Sequence, residues 1–197
     1  GTEVTTTTEM SSDAGGASTT TTAPTGGGGD TTTTAAAESS TTSGGAGGAG
    51  LNQALVSLEG NEYLFDTSPG TITDCNPDFF GSFWAIGESQ DGGTITVLLP
   101  LEPGDPNLDP PSIRIVDVSN DREWIAEVTL IETSNYADVI SDGDSQVNDY
   151  TVEGNSVIGN ASFVDENHIF AALGGTGERP ESVEGFFAVQ CDSANGG

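Results

Sequence analysis

Short runs of alternating hydrophobic and polar residues fill the C-terminal three quarters of the chain. In residues 113–118, Ile113 and Ile115 fall on one side of an extended backbone, together with Asp117. Residues 124–130 repeat this pattern, and one face there comprises Trp124, Ala126, Val128 and Leu130. A period of two residues is typical of β-strands that bury one face.

Eleven runs of β-branched and aromatic residues, bounded by Gly, Pro, Asn and Asp, predict strands. They cover residues 53–58, 62–65, 71–75, 82–87, 94–99, 112–118, 124–132, 149–153, 156–164, 168–172 and 183–191. Residues 91–93, Asp-Gly-Gly, favour a hairpin turn, and five prolines in residues 100–111 predict a loop or an edge crossing. No stretch of ten residues has a capped helical period, although residues 133–143 have room for one helical turn. We therefore predict an all-β domain, either an antiparallel β-sandwich or a partly closed barrel.

The first 50 residues have a different composition from the rest of the chain. They contain 16 Thr, 12 Gly, eight Ala and six Ser, and no aromatic residue. Such a segment cannot bury enough apolar surface to offset the entropy of ordering it. We predict a disordered tether at residues 1–50 and an acidic all-β domain at residues 51–197.

Three threonine tetrads in the tether are typical of O-glycosylated stretches, and an unmodified linker is the alternative. The candidate threonines are Thr5, Thr6, Thr7, Thr8, Thr19, Thr20, Thr21, Thr22, Thr31, Thr32, Thr33 and Thr34.

The charge of the chain excludes several function classes. There are 31 acidic residues, no lysine and three scattered arginines, which gives a net charge of −28. Binding a nucleic-acid backbone requires clustered Lys and Arg, and an anionic membrane surface would repel this chain. One His and two Cys are too few for a tetrahedral N/S zinc site, and we predict no cofactor. The acidic surface is either simply solvated or adapted to a salt-rich environment, where screening relieves the repulsion.

The two cysteines, Cys75 and Cys191, stand near the two ends of the domain. In an exported acidic domain they are expected to form one disulfide, and two free thiols are the alternative.

The chain begins Gly1-Thr2-Glu3 and continues into the tether, which is typical of a processed product. We expect a lipid-bearing cysteine before Gly1, as in bacterial lipoproteins. Ordinary secretion or an arbitrary chain boundary are the alternatives.

One pattern combines a Thr/Ser/Gly tether with a domain bracketed by two cysteines. It includes Cys75 with the strand that ends at residues 85–87, and residues 149–155, 159–162 and 185–191. This pattern resembles the mycobacterial 19 kDa lipoprotein antigen family. It covers residues 70–191 in outline. The acidity, the missing lysines and the Pro-rich loop depart from that family. The resemblance implies an envelope location and no catalytic residues.

Three groups of residues are candidates for chemistry or contact. His168 follows Asp165 and Glu166, but there is no second histidine and no nucleophile motif, so we assign no catalytic residue. An oxygen-rich loop offers weak calcium candidates that do not fit the EF-hand pattern; these are Asp142, Asp144 and Asp149. An aromatic cluster offers a possible contact surface, since neighbours on a strand cannot all face inward; it comprises Phe79, Phe80, Phe83 and Trp84.

The sequence thus predicts a non-catalytic cell-envelope lipoprotein at the cell surface or in the periplasm. Its β-domain would bind an envelope or extracellular protein or glycan. One alternative is a secreted or virion surface protein of a salt-adapted source, without lipid, whose domain would lose structure in low salt. Another is a small secreted hydrolase, which requires two carboxyl groups close together in a cleft and at least one strongly raised pKa.

Overall fold

Strands form where the alternation of hydrophobic and polar residues is strongest. The computed structural model describes residues 49–130 and 135–192. Helix α1 (Glu166–Leu173) and a 3₁₀ helix (Asn135–Asp138) accompany the strands. The strands are β1 (Gln53–Leu58), β2 (Asn61–Asp66), β3 (Asp74–Phe79), β4 (Ser82–Glu88), β5 (Thr94–Pro100), β6 (Ser112–Asp117), β7 (Arg122–Glu127), β8 (Gln146–Glu153), β9 (Ser156–Asp165) and β10 (Val183–Gln190). The predicted tether, with its threonine tetrads, lies outside the described residues except for residues 49 and 50.

Eight of these strands form a closed antiparallel barrel. Their order around the wall is β10, β1, β2, β4, β5, β6, β7 and β9, and β9 pairs with β10 to complete the ring. The other two lie outside it, β3 against β4 and β8 against β9. The all-β antiparallel prediction is confirmed, and the sheet closes as a barrel.

The barrel interior is filled by side chains that alternate inward along each strand. Ile113, Ile115 and Asp117 are buried on one face of β6, as their spacing predicts. The largest interior side chains are Trp124, Phe65, Phe83, Phe163 and Phe187. In β9, a Cβ on Gly159 would lie 2.6 Å from the ring of Phe187, so only glycine leaves space for that ring.

A second, smaller core lies on the outside of the barrel beneath α1. Ile169 of α1 packs with Ile125 of β7 and Val164 of β9 in this cluster. Ile125 and Val164 are also one of only two residue pairs that join β7 to β9. Helix α1 therefore covers a short seam in the barrel wall.

The seam between β2 and β4 is shorter still. Asp66 and Glu88 form its single residue pair. The predicted disulfide is confirmed, and it links Cys75 of β3 to Cys191, which follows β10. Both cysteines are buried, with Cα atoms 5.4 Å apart. The bond thus ties the β3–β4 side of this seam covalently to the β10–β1 side.

The local turn predictions are confirmed. Gly92 has a φ of +85° in the hairpin between β4 and β5, and Ser89 N donates to Gly93 O there at 2.8 Å. The prolines at 103–111 lie in the loop between β5 and β6. The 3₁₀ helix falls where one helical turn is predicted.

Three predicted strands have clearly different bounds. β8 begins at Gln146 rather than at residue 149, and β3 continues to Phe79 rather than ending at residue 75. β3 begins at Asp74 rather than at residue 71, because Thr73 Oγ1 donates to Ser68 O and holds residues 68–73 in a turn. β7 ends at Glu127 rather than at residue 132, and Glu127 N donates to Ser145 Oγ instead of continuing a ladder. The predicted face through Val128 and Leu130 therefore does not extend the barrel wall.

One predicted strand is wrong in kind. Residues 168–172 lie within α1. Asp165 caps this helix, since its side chain accepts a hydrogen bond from Asn167 N. Ala171, Ala172 and Leu173 favour a helix, and Gly174 and Gly175 end it.

The disulfide closes a loop of 116 residues, so its removal should destabilise the barrel strongly. In the chain-entropy model such a bond contributes about 4–5 kcal/mol. We expect reduction, or the double substitution C75S/C191S, to lower the free energy of unfolding by about this amount in guanidinium titrations. A loss below about 1 kcal/mol would show that the barrel does not depend on the bond.

Candidate functional site

The hairpin between β3 and β4 carries a strongly exposed phenylalanine. Phe79 and Ser82 are paired, so Phe80 and Gly81 form a two-residue turn. Both have a positive φ, 51° for Phe80 and 86° for Gly81, as a type I′ turn requires. Gly81 N donates to the carboxylate of Asp78 at 3.2 Å and fixes the turn. Phe80 lies at the tip and is 85% exposed.

Two further aromatic rings stand beside Phe80. The Phe79 ring meets the Phe80 ring edge-on, with centroids 4.7 Å apart. The same Phe79 ring stacks on Trp84 of β4, at 5.1 Å between centroids and 27° between planes. Phe79, Phe80 and Trp84 form what we call the aromatic hairpin surface.

The fourth residue of the predicted contact surface, Phe83, lies elsewhere. Its side chain is fully buried in the barrel core. Alternation along β4 turns Phe83 and Ala85 inward and Trp84 outward. The prediction is therefore wrong for Phe83, whereas Phe79, Phe80 and Trp84 lie at the surface or half-buried.

A second cluster lies at the end of the barrel where β7 begins and β9 ends. Arg122 Nη1 lies 2.8 Å from Glu59 Oε2, and Arg122 Nε lies 3.9 Å from Asp165 Oδ2. The guanidinium of Arg122 sits 5.0 Å from the centre of the Trp124 ring, within cation–π range. His168 Nδ1 lies 3.6 Å from Asp165 Oδ2. These side chains line a cleft of about 470 Å³.

We call Glu59, Arg122, Trp124, Asp165 and His168 the mouth cluster. In it, the carboxylate of Asp165 is the neighbour of His168, but their separation of 3.6 Å is longer than a hydrogen bond. The residues that line the cleft include no Ser, Thr or Cys that His168 could activate. The contacts instead anchor the start of α1, because Asp165 both caps the helix and meets Arg122. Sequence reasoning missed Arg122 and Trp124. Their spacing was the available signal. Arg122 and Trp124 are two residues apart at the start of a strand, so their side chains lie on the same face.

Glu166, next to Asp165, has an unusual environment for a carboxyl group. Burial raises the pKa of Glu166, and the nearby Arg114 opposes that shift. Arg114 Nη1 lies 3.4 Å from Glu166 and 2.6 Å from Glu123. The Tyr136 hydroxyl donates to Glu166 at 3.4 Å. Glu166 and Glu123 do not line any of the three clefts described in residues 49–130 and 135–192.

The weak calcium candidates are not brought together. The carboxylate of Asp144 accepts from Ser141 N at 2.6 Å, and that of Asp149 accepts from Asn160 Nδ2 at 3.0 Å. Asp142 is exposed in the turn between Ser141 and Asp144. Within the part of the chain that the structure describes, no group of three or more His, Cys, Asp or Glu side chains is placed to hold a metal ion.

A third feature is a cleft of about 380 Å³ between β2 and the turn that joins β4 to β5. Tyr63 projects from β2 into its wall, and burial followed by the charge of Asp117 raises the pKa of Tyr63. On the other side, Asp91 accepts hydrogen bonds from the hydroxyls of Ser89 and Ser119. Asp91 thus connects the β4–β5 turn to the β6–β7 turn.

Comparisons of the chain with protein-family models, with curated proteins and with solved structures find no match. No helix within the described residues is long and apolar enough to cross a bilayer.

The Asp91 contacts predict a specific response to acid. The hydroxyls of Ser119 and Ser89 lower the pKa of Asp91 from 3.8 to about 2. A carboxyl group whose pKa is lower in the folded state stabilises the fold above its ordinary pKa, and this contribution is lost as the pH falls through about 2. In urea titrations, the free energy of unfolding of the wild type should exceed that of D91N by its largest amount above pH 4. This difference should shrink as the pH falls and nearly vanish near pH 2.

The matched control is D109N, which removes the same charge from the loop between β5 and β6. Its stability difference from wild type should not follow this pH course. A D91N gap that stays constant between pH 6 and pH 2 would contradict the role of the Ser89 and Ser119 contacts.

Proposed function

We propose that this protein is a non-catalytic interaction module of the cell envelope. Its barrel binds an envelope or extracellular protein or glycan through the aromatic hairpin surface. The observation that carries the proposal is Phe80, which is 85% exposed at the hairpin tip with a φ of 51°.

Phe80 is unfavourable for the isolated fold in two ways. A left-handed backbone costs a non-glycine residue about 1–2 kcal/mol. Of the two left-handed positions in this turn, one is occupied by Gly81 and the other by Phe80. Exposure of the ring adds apolar surface to water beside Phe79 and Trp84. Strain and exposure of this kind concentrate at functional sites. A partner that covers the ring would recover its burial energy.

The envelope location rests on different observations. The Cys75–Cys191 disulfide favours an oxidising compartment outside the cytoplasm. The threonine-rich composition of residues 1–50 supports a tether that holds the barrel away from its attachment point. The lipid anchor, the glycosylated threonines and the likeness to the mycobacterial family stay predictions of the sequence.

The two alternatives gain less support. A carboxylate-dependent hydrolase needs two acids close together in a cleft, one of them with a raised pKa. The carboxyl group whose pKa burial raises, Glu166, lines none of the three described clefts and lies 3.4 Å from Arg114. A secreted or virion surface protein without lipid keeps the same contact surface and differs only in its attachment. The net charge of −28 is the observation that favours a salt-adapted source.

The substitution F80N tests the proposal because it should change stability and binding in opposite directions. It creates the Asn-Gly pair that type I′ turns prefer, so the free energy of unfolding should rise by about 1 kcal/mol. It also removes the exposed ring, whose burial is worth about 1.5–3 kcal/mol, so retention on isolated envelopes of the source cells should fall about tenfold or more.

The matched control is D121G, which relieves another left-handed residue, of φ 54°, without removing an aromatic ring. D121G should bind envelopes as the wild type does. Equal retention of F80N and wild type, in co-sedimentation at several protein concentrations, would refute the aromatic hairpin surface as the contact.

A further inference from the structure

The outer edge of β2 carries backbone groups that no strand pairs. Glu59 and Gly60 form a two-residue turn between β1 and β2, so Leu58 and Asn61 are its hydrogen-bonded pair. Hydrogen-bonded and non-hydrogen-bonded pairs alternate along an antiparallel ladder. Glu62 and Leu64 therefore direct their N–H and C=O groups away from β1.

Asp66, two residues after Leu64, confirms that these backbone groups point away from β1. Asp66 also points away from β1, and it forms the single pair with Glu88 of β4. Beyond Glu88 the chain turns back into β5, so β2 extends past the end of its neighbour. In the described part of the chain, Glu62 and Leu64 have no strand partner on this side.

The open edge of β2 has neither the proline nor the β-bulge found in the outer strands β3 and β8. The outer strand β3 carries Pro77, and its register shifts between Asn76 and Phe79. The outer strand β8 has a register shift between Val147 and Asp149. Proline and β-bulges are devices that prevent edge pairing. Residues 61–65 contain neither, and they form a regular ladder with β1.

The space beside this edge suits an added strand. The cleft of about 380 Å³ lies where β4 would run if it continued past Glu88, and β2 residues form one of its walls. Its lining includes Glu62, Asp91 and Asp117 and no lysine, arginine or histidine. Leu64, which is 51% exposed, adds an apolar contact at the same edge.

We propose that the open edge of β2, residues 61–65, binds an extended lysine- or arginine-rich segment of a partner protein as an added β-strand. The backbone groups of Glu62 and Leu64 supply the strand pairing, and the exposed carboxylates of Glu62 and Asp91 select the positive charge, whereas Asp117 is buried behind them and accepts hydrogen bonds from Asn120. This surface is separate from the aromatic hairpin surface, and the proposal stands independently of the function assigned to that surface.

The charge of the edge argues against a second copy of this chain as the occupant. Two β2 edges would bring Glu62 and Asp66 of each copy close to those of the other. Like charges directly across a strand pair are destabilising, and the chain has no lysine to compensate. The same carboxylates that disfavour self-pairing favour a cationic strand.

The test uses the oxidised protein and a blocked synthetic peptide of the sequence Thr-Lys-Val-Lys-Val-Lys-Thr, with ¹⁵N NMR titration as the readout. Binding should move the amide signals of Glu62 and Leu64 and slow their hydrogen exchange. A peptide of equal charge, with N-methyl groups on its two valines, should bind at least tenfold more weakly when those amides face β2. Placing the methyl groups on the lysines instead tests the other peptide edge.

Two protein variants with the same net charge separate the local effect from the global one. E62K should weaken binding of the lysine peptide about three- to fivefold, whereas E153K, on the exposed end of β8, should change it much less.

A third variant, L64P, removes an unpaired edge N–H. It should abolish the peptide-induced slowing of hydrogen exchange, while an unchanged unfolding midpoint shows that the barrel persists.

Three outcomes would overturn the proposal. Equal binding of the lysine peptide and of both methylated peptides would show charge attraction without strand pairing. Equal losses for E62K and E153K would place the peptide on no particular surface. A concentration-dependent dimer that L64P abolishes, in sedimentation velocity without peptide, would assign the edge to a second copy.

Discussion

Closure of eight strands into a barrel determines which side chains of this protein meet. A barrel wall is complete only when each strand has two neighbours, and two of the eight contacts here are very short. β7 meets β9 through two residue pairs, and β2 meets β4 through one. The fold supports the first seam with α1 and the second with the disulfide from Cys75 to Cys191. The hydrophobic alternation then fills the interior.

Two of the three arginines of this chain hold the start of helix α1 against the barrel. Arg114 and Arg122 lie on adjacent strands and contact the acidic residues at the start of α1, Glu166 and Asp165. Because these groups are partly exposed, each pair contributes modestly to stability. Their position matters more, since they fix the helix that covers the β7–β9 seam. The opposite arrangement holds at β2, where acidic residues line the cleft without a cation.

The sequence predicted the features that depend on neighbouring residues. Alternation located all ten strands closely or in part, and Gly92 marked its turn. The pairing of Cys75 with Cys191 followed from their number and context. Helix α1 was mistaken for a strand because its apolar run is short, although Asp165 before it and two glycines after it are cap signals.

The features that the sequence did not predict depend on strand register. Phe83 and Trp84 are adjacent, and only the pairing of β4 decides which one faces the core. The cluster around Arg122 joins residues from the β1–β2 turn, β7, β9 and α1, so their proximity follows from closure of the barrel. The open edge of β2 likewise results from its offset against β4, which no local pattern encodes.

Amide hydrogen exchange in the free, oxidised protein distinguishes a β2 strand that pairs on one side from one that pairs on both sides. If β2 is hydrogen-bonded on one side only, the amides of Tyr63 and Phe65 are slow because they bond to β1. Those of Glu62 and Leu64 exchange at rates typical of exposed backbone. Uniformly slow exchange across residues 61–65 would mean that both sides of β2 are paired and that its outer edge is not open.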